Sequence, residues 1–365
     1  MTKGHFGAYA FEPLTSPLEP VTEPHVAALQ LALRALAEGR SLSADEASSA
    51  FEIVMAGEAS AVQIAALLFG LRSRGETPDE VIGAARALRR AMRRVELGRD
   101  GELVDTCGTG GGRVGTLNVS TGAAFLVAGA GIPVAKHGNR SFTSKSGSAD
   151  VLEALGVAID HPPERARDIL AKAGVVFLFA PTYHPAMRHA APVRRELAVA
   201  TVMNVLGPLA NPAGVTRQVL GVADAARGAL LAQALHGLGA AHAVVVHAEV
   251  GMDEISPQGK TFVWEVGPNG VSEWRLDPAA YELSADSLED LAGGKPEENA
   301  RRLEGLLRGE GKKSAARYAL ILNAAAALYV AGKGWTLEES VRRATEALDT
   351  GQAMAALERL RAATK

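Results

Sequence analysis

Residues 104–121 read VDTCGTGGGRVGTLNVST, and this stretch decides how the rest of the chain is interpreted. An apolar run typical of a strand enters a loop with five glycines among eight residues, and a helical pattern begins near Ser120. Glycine lets backbone amides approach an anion closely, and a helix N-terminus adds partial positive charge. The stretch predicts a phosphate-binding loop between a strand and a helix. The alternative is a tight strand–helix turn that binds nothing.

Two familiar nucleotide-binding patterns fit this loop poorly. Residues 110–115 satisfy G-x-G-x-x-G, but the helix begins too late, and Lys136 stands where a dinucleotide fold places an acid for the ribose. The P-loop pattern also fails, because Glu254 occupies its first glycine position ahead of residues 259–261. The sequence therefore indicates a phosphate site of another kind.

On the N-terminal side of the loop, the chain predicts a helical unit. Residues 25–98 read as four helices, the last of which has Pro78 at its first position and Gly98 past its end. Three of them open with the capping-box pattern. These three boxes are Ser43 with Glu46, Ser60 with Gln63, and Thr77 with Glu80.

On the C-terminal side, strands alternate with helices, which predicts an α/β domain with a mainly parallel central sheet. We expect strands near Glu102–Asp105 and Ile132–Ala135, and a hairpin over 261–276 laid onto the sheet. The predicted organisation has three parts. These are an irregular Pro-rich extension over 1–24, a helical domain over 25–98 joined by part of 190–215, and an α/β domain over 99–365.

Composition is that of an ordinary globular protein. Hydrophobic residues make up 47%, charged residues 22%, and the net charge is −3. These values exclude wholesale disorder and give no global signal for nucleic acid or an anionic membrane. The single cysteine, Cys107, excludes an intrachain disulfide. Without an apolar run of ~18 residues or a targeting signal, we expect a soluble, cytoplasmic protein.

A second polar segment follows the predicted strand at 132–135. It places Lys136, Arg140 and Lys145 among five Ser and Thr residues, and no acid occurs between Asp105 and Asp150. Cations interleaved with hydroxyl donors suit a multiply charged phosphate ester. The alternative is a solvated polar loop.

Two further segments carry candidate ligands. Asp253 and Glu254 follow a buried-looking strand, and adjacent carboxylates there suit Mg²⁺, although such pairs are also common on surfaces. Arg194 is a candidate for binding a substrate carboxylate. His184 and His189 are five residues apart, which does not suit a metal pair on one helical face.

Taken together, these residues resemble one family, anthranilate phosphoribosyltransferase of tryptophan biosynthesis. The resemblance runs from the N-terminal helices to about residue 350. The segments that carry it are the glycine loop into Asn118–Thr121, Lys136–Asn139, Ser148–Asp150, Asn204–Pro212 and Gly251–Glu254. It implies a small helical domain beside a larger α/β domain similar to the nucleoside phosphorylases, assembled as a homodimer.

The resemblance also implies a role for each matching position. Contacts to 5-phosphoribosyl 1-diphosphate (PRPP) would come from Gly108, Gly110, Gly111, Gly112, Thr116, Asn118, Val119, Ser120, Thr121, Lys136, Ser144 and Ser148. Anthranilate would meet Gly108, His137, Asn139 and Arg194. Ser120, Asp253 and Glu254 would bind magnesium, with two ions per subunit. One departure is that Gly112-Arg113 stands where the family commonly has Asp-Gly, which removes a carboxylate and adds a cation.

The implied reaction is attack of the anthranilate amine on the ribose of PRPP, which releases pyrophosphate. An aryl amine is uncharged at pH 7, so we expect no general base, and catalysis by positioning and electrostatics, chiefly through Lys136.

Two alternatives remain at this point. One is a nucleoside phosphorylase that uses inorganic phosphate. The other is a homologue without activity that binds nucleic acid, for which Arg89, Arg90, Arg93 and Arg94 are the best local case. Because these arginines end a predicted helix, we interpret them as a solvated face.

Overall fold

The computed structural model describes residues 24–99, 101–141 and 145–365, without the side chains of 24–26. The predicted extension therefore lies almost wholly outside the described residues. The α-helices are α1 Pro24–Ala37, α2 Ala44–Ala56, α3 Ala61–Arg74, α4 Pro78–Ala91, α5 Val119–Gly129, α6 Ser148–Ala154, α7 Ala166–Ala173, α8 Ala180–Tyr183, α9 Ala191–Leu197, α10 Met203–Leu206, α11 Gly228–Gly237, α12 Pro296–Leu307, α13 Ala315–Tyr329, α14 Leu337–Asp349 and α15 Gln352–Thr364. The strands are β1 Val104–Gly108, β2 Val134–Gly138, β3 Val175–Phe179, β4 Arg217–Gly221, β5 His242–Ala248, β6 Thr261–Gly267 and β7 Gly270–Leu276.

Helices α1–α4 form the predicted helical unit. The capping boxes at Ser43, Ser60 and Thr77 are confirmed, each with both reciprocal hydrogen bonds. The prediction that α4 runs to Gly98 is wrong, because Met92 already has extended backbone angles. Tertiary hydrogen bonds hold the segment that follows. The Arg93 amide donates to the Tyr183 carbonyl at 2.8 Å, and the Val95 amide donates to the Pro212 carbonyl at 3.1 Å.

The central sheet has the strand order β3-β2-β1-β4-β5-β6-β7. Its first five strands are parallel, as predicted. The β6–β7 hairpin extends the same sheet by antiparallel pairing, so the prediction that it lies on top of the sheet is wrong. Strands β1 and β2 both end later than predicted, because pairing with their neighbours continues to Gly108 and Gly138.

Two hydrophobic cores pack on opposite sides of this sheet. The larger core surrounds α5, α13 and α15, while the smaller joins α1–α4 to buried residues between Ala186 and Ala210 and to one face of β4–β6. We therefore propose that the segment around 186–210 belongs with the helical domain.

The side chain of Arg89 connects the helical unit to the α/β unit and is not part of a solvated face. Its side chain donates to the carbonyls of Leu209, at 2.7 Å, and Leu238, at 3.3 Å. Burial lowers the pKa of Arg89 to about 10.

Across the described ranges, no helix combines the length and apolar character needed to cross a bilayer.

A polar cluster around Glu265 of β6 stabilises the sheet near the start of β5. The carboxylate accepts hydrogen bonds from His242, Tyr329 and Trp274, at distances of 2.7–2.8 Å. The hydrogen bond from His242 is the main reason that the pKa of Glu265 lies below its usual range.

Glu265→Gln is therefore expected to destabilise the protein at pH 7 by about 1–2 kcal/mol, because charged acceptors form stronger hydrogen bonds. A lowered pKa in the folded state adds stability above the ordinary Glu pKa of about 4.3, and this is lost as the pH falls through the folded value. Urea unfolding at pH 7 and pH 3.5 should show the difference shrinking at the lower pH. An equal difference at both values would contradict this account.

Candidate active site

The carboxyl ends of the parallel strands define a crevice. From β1 the chain passes to β2 on one side, while β4 lies on the other side, so the loops after β1 and β4 diverge. Open α/β sheets bind ligands at such a switch point. Two hydrogen bonds join these loops here. The Thr109 amide donates to the Gly221 carbonyl at 2.9 Å, and the Ala223 amide donates to Thr109 Oγ1 at 3.2 Å.

The glycine loop is shaped by close approach to Asp253. Gly110 and Gly111 have φ values of 68° and 86°, a region that favours glycine. A Cβ at Gly112 would stand 2.6 Å from Asp253 Oδ1, and one at Gly221 would stand 1.6 Å from the Asp253 carbonyl oxygen. A side chain at position 221 would therefore displace the backbone of the acidic loop, and one at position 112 would displace the Asp253 carboxylate.

Glu254 is held against the start of α5. Its carboxylate accepts from Thr116 Oγ1 at 2.7 Å and from the Ser120 amide at 3.2 Å. The loop after β5 thus meets the loop after β1, and the predicted Thr116, Ser120, Asp253 and Glu254 come together.

The donor set at this acid pair fits Mg²⁺. Burial, together with the adjacent charge of Asp253, raises the pKa of Glu254 to about 8, and burial raises the pKa of Asp253. Two adjacent, partly buried carboxylates are costly unless a cation compensates them. No group of three or more His, Cys, Asp or Glu that could hold a metal occurs in the described part of the chain. A magnesium ion here would therefore need hydroxyl, water or substrate oxygens as well.

Lys136 lies beneath the same loop. Its side chain is only 3% exposed, and Nζ donates to the Thr106 carbonyl at 2.5 Å and to Ser120 Oγ at 3.3 Å. Burial lowers the pKa of Lys136, and the charge of Asp105 opposes this shift. The predicted cation is therefore next to Ser120, with its donors directed to protein atoms.

The other predicted loop contacts are engaged within the protein. Asn118 has φ 41° and donates to the Ser146 carbonyl at 3.1 Å, while its Oδ1 accepts from Asn299 at 2.9 Å. Val119 and Thr121 are buried in the first turn of α5. Asn118 therefore joins the glycine loop to the 145–148 segment.

The second polar segment differs from its prediction in one respect. Arg140 is paired with Asp150 at 3.1 Å and with Glu153 at 2.5 Å, so this cation is already neutralised. The sequence did not predict these ion pairs, because both acids lie on α6 and only the fold places this helix beside the loop. Ser148 Oγ donates to the Asn139 carbonyl at 3.3 Å. Ser144 lies outside the described residues.

His137 is at the opposite side of the crevice, and its ring contacts that of His184 at an interplanar angle of 52°. Their ring centroids are 4.9 Å apart, and both side chains are buried. Burial lowers the pKa of His137 to about 3 and that of His184 to about 4, so both imidazoles are uncharged at neutral pH. Asn139 follows the same strand and is partly exposed, with Oδ1 accepting from the Arg140 amide at 2.7 Å.

Arg194 lies on α9, partly buried, and burial lowers its pKa. Among the residues that the structure describes, no carboxylate forms an ion pair with it. A partly buried guanidinium without an acid is suited to a carboxylate supplied by a ligand.

Cys107 is an ordinary structural thiol. Its Sγ accepts from Gln218 Nε2 at 2.9 Å, and burial raises its pKa well above the usual value. A protonated thiol of this kind is a poor nucleophile.

Sequence reasoning missed two residues that support the site. Asn211 donates to Asp105 at 2.8 Å and to the Ala135 carbonyl at 2.9 Å, which joins β1 and β2. Asn323 of α13 bonds both main-chain polar groups of Ile255, at 3.0 and 2.8 Å, and so fixes the acidic loop. The available signal was an asparagine inside the apolar run of α13, because a buried amide needs partners.

The structure combines a helical unit with a mainly parallel sheet and places a glycine loop opposite paired acids, an arrangement suited to binding a phosphate ester with a metal ion. Two family models match in agreement. Residues 30–92 match the helical bundle domain of a glycosyl transferase family, and residues 100–354 match its a/b domain.

The relatives narrow this class. Anthranilate phosphoribosyltransferase of Rubrobacter xylanophilus is 52% identical over 91% of this chain and 96% of its own. The crystal structure of the Thermus thermophilus enzyme is 46% identical, with TM-score 0.86, over 91% and 99% of the two chains. The Saccharomyces cerevisiae enzyme in complex with PRPP and Mg is 28% identical, with TM-score 0.84, over 93% and 98%. The chain belongs to the anthranilate phosphoribosyltransferase family.

Proposed function

We propose that the crevice at the carboxyl ends of β1, β2, β4 and β5 is the place where the family reaction occurs. The reaction transfers the 5-phosphoribosyl group of PRPP to the amine of anthranilate, which gives N-(5-phosphoribosyl)anthranilate and pyrophosphate, a step of tryptophan biosynthesis. The observation that carries this placement is the contact of Glu254 with Thr116 and Ser120, which joins the phosphate loop to the acid pair.

The PRPP subsite is assigned to the glycine loop and its surroundings. Gly108 ends β1 and residues 110–112 follow it in the glycine loop, and the N-terminus of α5 favours negative charge. Lys136 and Ser120 supply a cation and a hydroxyl at the floor. The other proposed PRPP contacts are Thr116, Asn118, Val119, Thr121, Ser144 and Ser148.

The metal subsite is assigned to Ser120, Asp253 and Glu254, with two Mg²⁺ ions per subunit. Their oxygen donors suit this ion, and the yeast relative binds PRPP together with Mg. When bound, Mg²⁺ would neutralise the charge that builds up on the departing pyrophosphate. The chain itself contributes rigid placement of the acids through Asn323 and Thr116.

The anthranilate subsite is assigned to Gly108, His137, Asn139 and Arg194. Arg194 would bind the carboxylate, and Asn139 would orient the ring. Because His137 is uncharged, it does not repel the positive charge that develops at the ribose. The amine is uncharged at neutral pH, so positioning and exclusion of water replace a general base.

Anthranilate fluorescence tests this proposal directly. It should fall when PRPP is added to the protein with MgCl₂ and stay constant with EDTA. If it stays constant at every magnesium concentration, while thymidine or uridine is cleaved with phosphate, the protein is instead a phosphorylase and the assignment is overturned.

We also propose a homodimer, based on an apolar surface of the helical unit. Leu31 on α1 and Val62 and Phe69 on α3 are 61%, 78% and 55% exposed, and Val62 and Phe69 are two helical turns apart. Clustered apolar exposure marks association surfaces, and a two-fold axis lets one patch pair with its copy.

Phe69→Glu is therefore expected to shift the protein from a two-chain to a one-chain mass, measured by light scattering after size exclusion. Phe69→Leu, which keeps the surface apolar, should stay dimeric. A wild-type monomer, or an unchanged mass for Phe69→Glu, would contradict the proposed surface.

A cytoplasmic location is proposed as well, supported by the single cysteine and by a pathway that uses small-molecule substrates.

A further inference from the structure

Arg113, in the glycine loop, is a cation that the proposed roles leave unused. Its amide donates to the Gly251 carbonyl at 3.0 Å. Its stem packs against the same residue, since a Cβ at Gly251 would stand 3.4 Å from Arg113 Cβ and 3.5 Å from Cδ. Arg113 is therefore held to the loop that carries Asp253 and Glu254.

The guanidinium of Arg113 is exposed and lines a groove of about 420 Å³ at the ends of β4 and β5. The groove also contains Asp224 and Glu249, and both acids have other partners. Asp224 accepts from the Ala226 amide at 3.0 Å, and Glu249 accepts from Arg275 at 3.1 Å. Among the described residues, no acid forms an ion pair with Arg113.

The preceding residue makes this arrangement possible. A Cβ at Gly112 would stand 2.6 Å from Asp253 Oδ1, so a side chain there would require the Asp253 carboxylate to move. Position 112 therefore cannot supply an acid without displacing Asp253, and the loop's only charge lies one residue later, about 3.8 Å along the backbone. The loop presents a net positive charge beside the acid pair.

We infer that Arg113 binds the diphosphate of PRPP from the rim of the site, as a substrate-binding residue beside the magnesium subsite. The inference rests on the proposed function, since it uses the placement of the metal-bound diphosphate at Asp253 and Glu254. A planar guanidinium can hold two phosphate oxygens at once, which suits this ligand. Arg113 thus stabilises both bound PRPP and the departing pyrophosphate.

Inorganic pyrophosphate is the probe for this role, titrated calorimetrically into the full chain with MgCl₂ and again with EDTA. Arg113→Gln is expected to weaken its binding about tenfold under both conditions, because a charge-assisted contact is lost. Arg113→Lys should restore part of the affinity. The matched control is Arg99→Gln. Arg99 is an exposed arginine that precedes β1, at the end of this strand away from the glycine loop, and it pairs with Glu102.

Steady-state kinetics supply the second readout. Arg113→Gln should raise KM for PRPP about tenfold, with KM for anthranilate unchanged. Pyrophosphate affinity and KM for PRPP equal to those of wild type would overturn the inference. Failure of the proposed function appears separately, as wild-type protein that does not consume anthranilate at all.

Discussion

Glu254→Gln is expected to lower kcat for anthranilate consumption by about 100- to 1000-fold, the range seen when a group that stabilises transition-state charge is removed. The amide oxygen can still accept from the Ser120 amide, and the amide NH2 can donate to Thr116 Oγ1 in place of the bond that this hydroxyl donates to Glu254, so the loop keeps its geometry. What disappears is the negative charge that would hold Mg²⁺ in the proposed metal subsite. Initial rates of anthranilate consumption, followed by fluorescence over a range of MgCl₂ concentrations, measure the change in kcat.

Stability separates loss of chemistry from loss of folding in this variant. Burial and the charge of Asp253 disfavour the ionised form of Glu254 in the metal-free protein, so replacement by a neutral amide removes no favourable charge, and the Tm of metal-free Glu254→Gln should equal or exceed that of wild type. Glu273→Gln, an exposed acid on β7, is the control and should keep full activity. Full activity of Glu254→Gln would exclude the metal role assigned to this carboxylate.

Arg194→Gln is expected to raise KM for anthranilate about 100-fold, since the proposed charge-assisted contact to the substrate carboxylate would be lost. The KM for PRPP should change little, because Arg194 lies on α9, away from the glycine loop. Initial rates with each substrate varied in turn measure both constants.

The control is Arg195→Gln, the adjacent and exposed arginine of the same helix. Arg194 has no protein carboxylate to lose among the described residues, and burial lowers its pKa. Its replacement should therefore leave the Tm unchanged or raised. A lowered Tm together with an unchanged KM for anthranilate would show that Arg194 is a structural residue.

Local patterns were sufficient for the elements. The capping boxes at Ser43, Ser60 and Thr77 were predictable, because the pattern and the contacts it makes lie within three residues. The parallel sheet followed from strands alternating with helices. Local patterns failed where tertiary contacts compete, as at residues 93–98, which pair with Tyr183 and Pro212 instead of continuing α4.

The candidate site divides in the same way. The glycine loop, Lys136 and the acid pair carry recognisable residue types, so the sequence by itself determined their identity and chemical class. Their mutual arrangement required the fold, since Thr116 and Glu254 are 138 positions apart and meet only because β1, β4 and β5 are neighbours. The partners of Arg140, the burial of Lys136 and the support from Asn323 were likewise decided by tertiary structure. The physical reason is that hydrogen-bond partners and burial depend on which distant segments pack together. At the carboxyl ends of the parallel strands, the strand order determines which loops become neighbours.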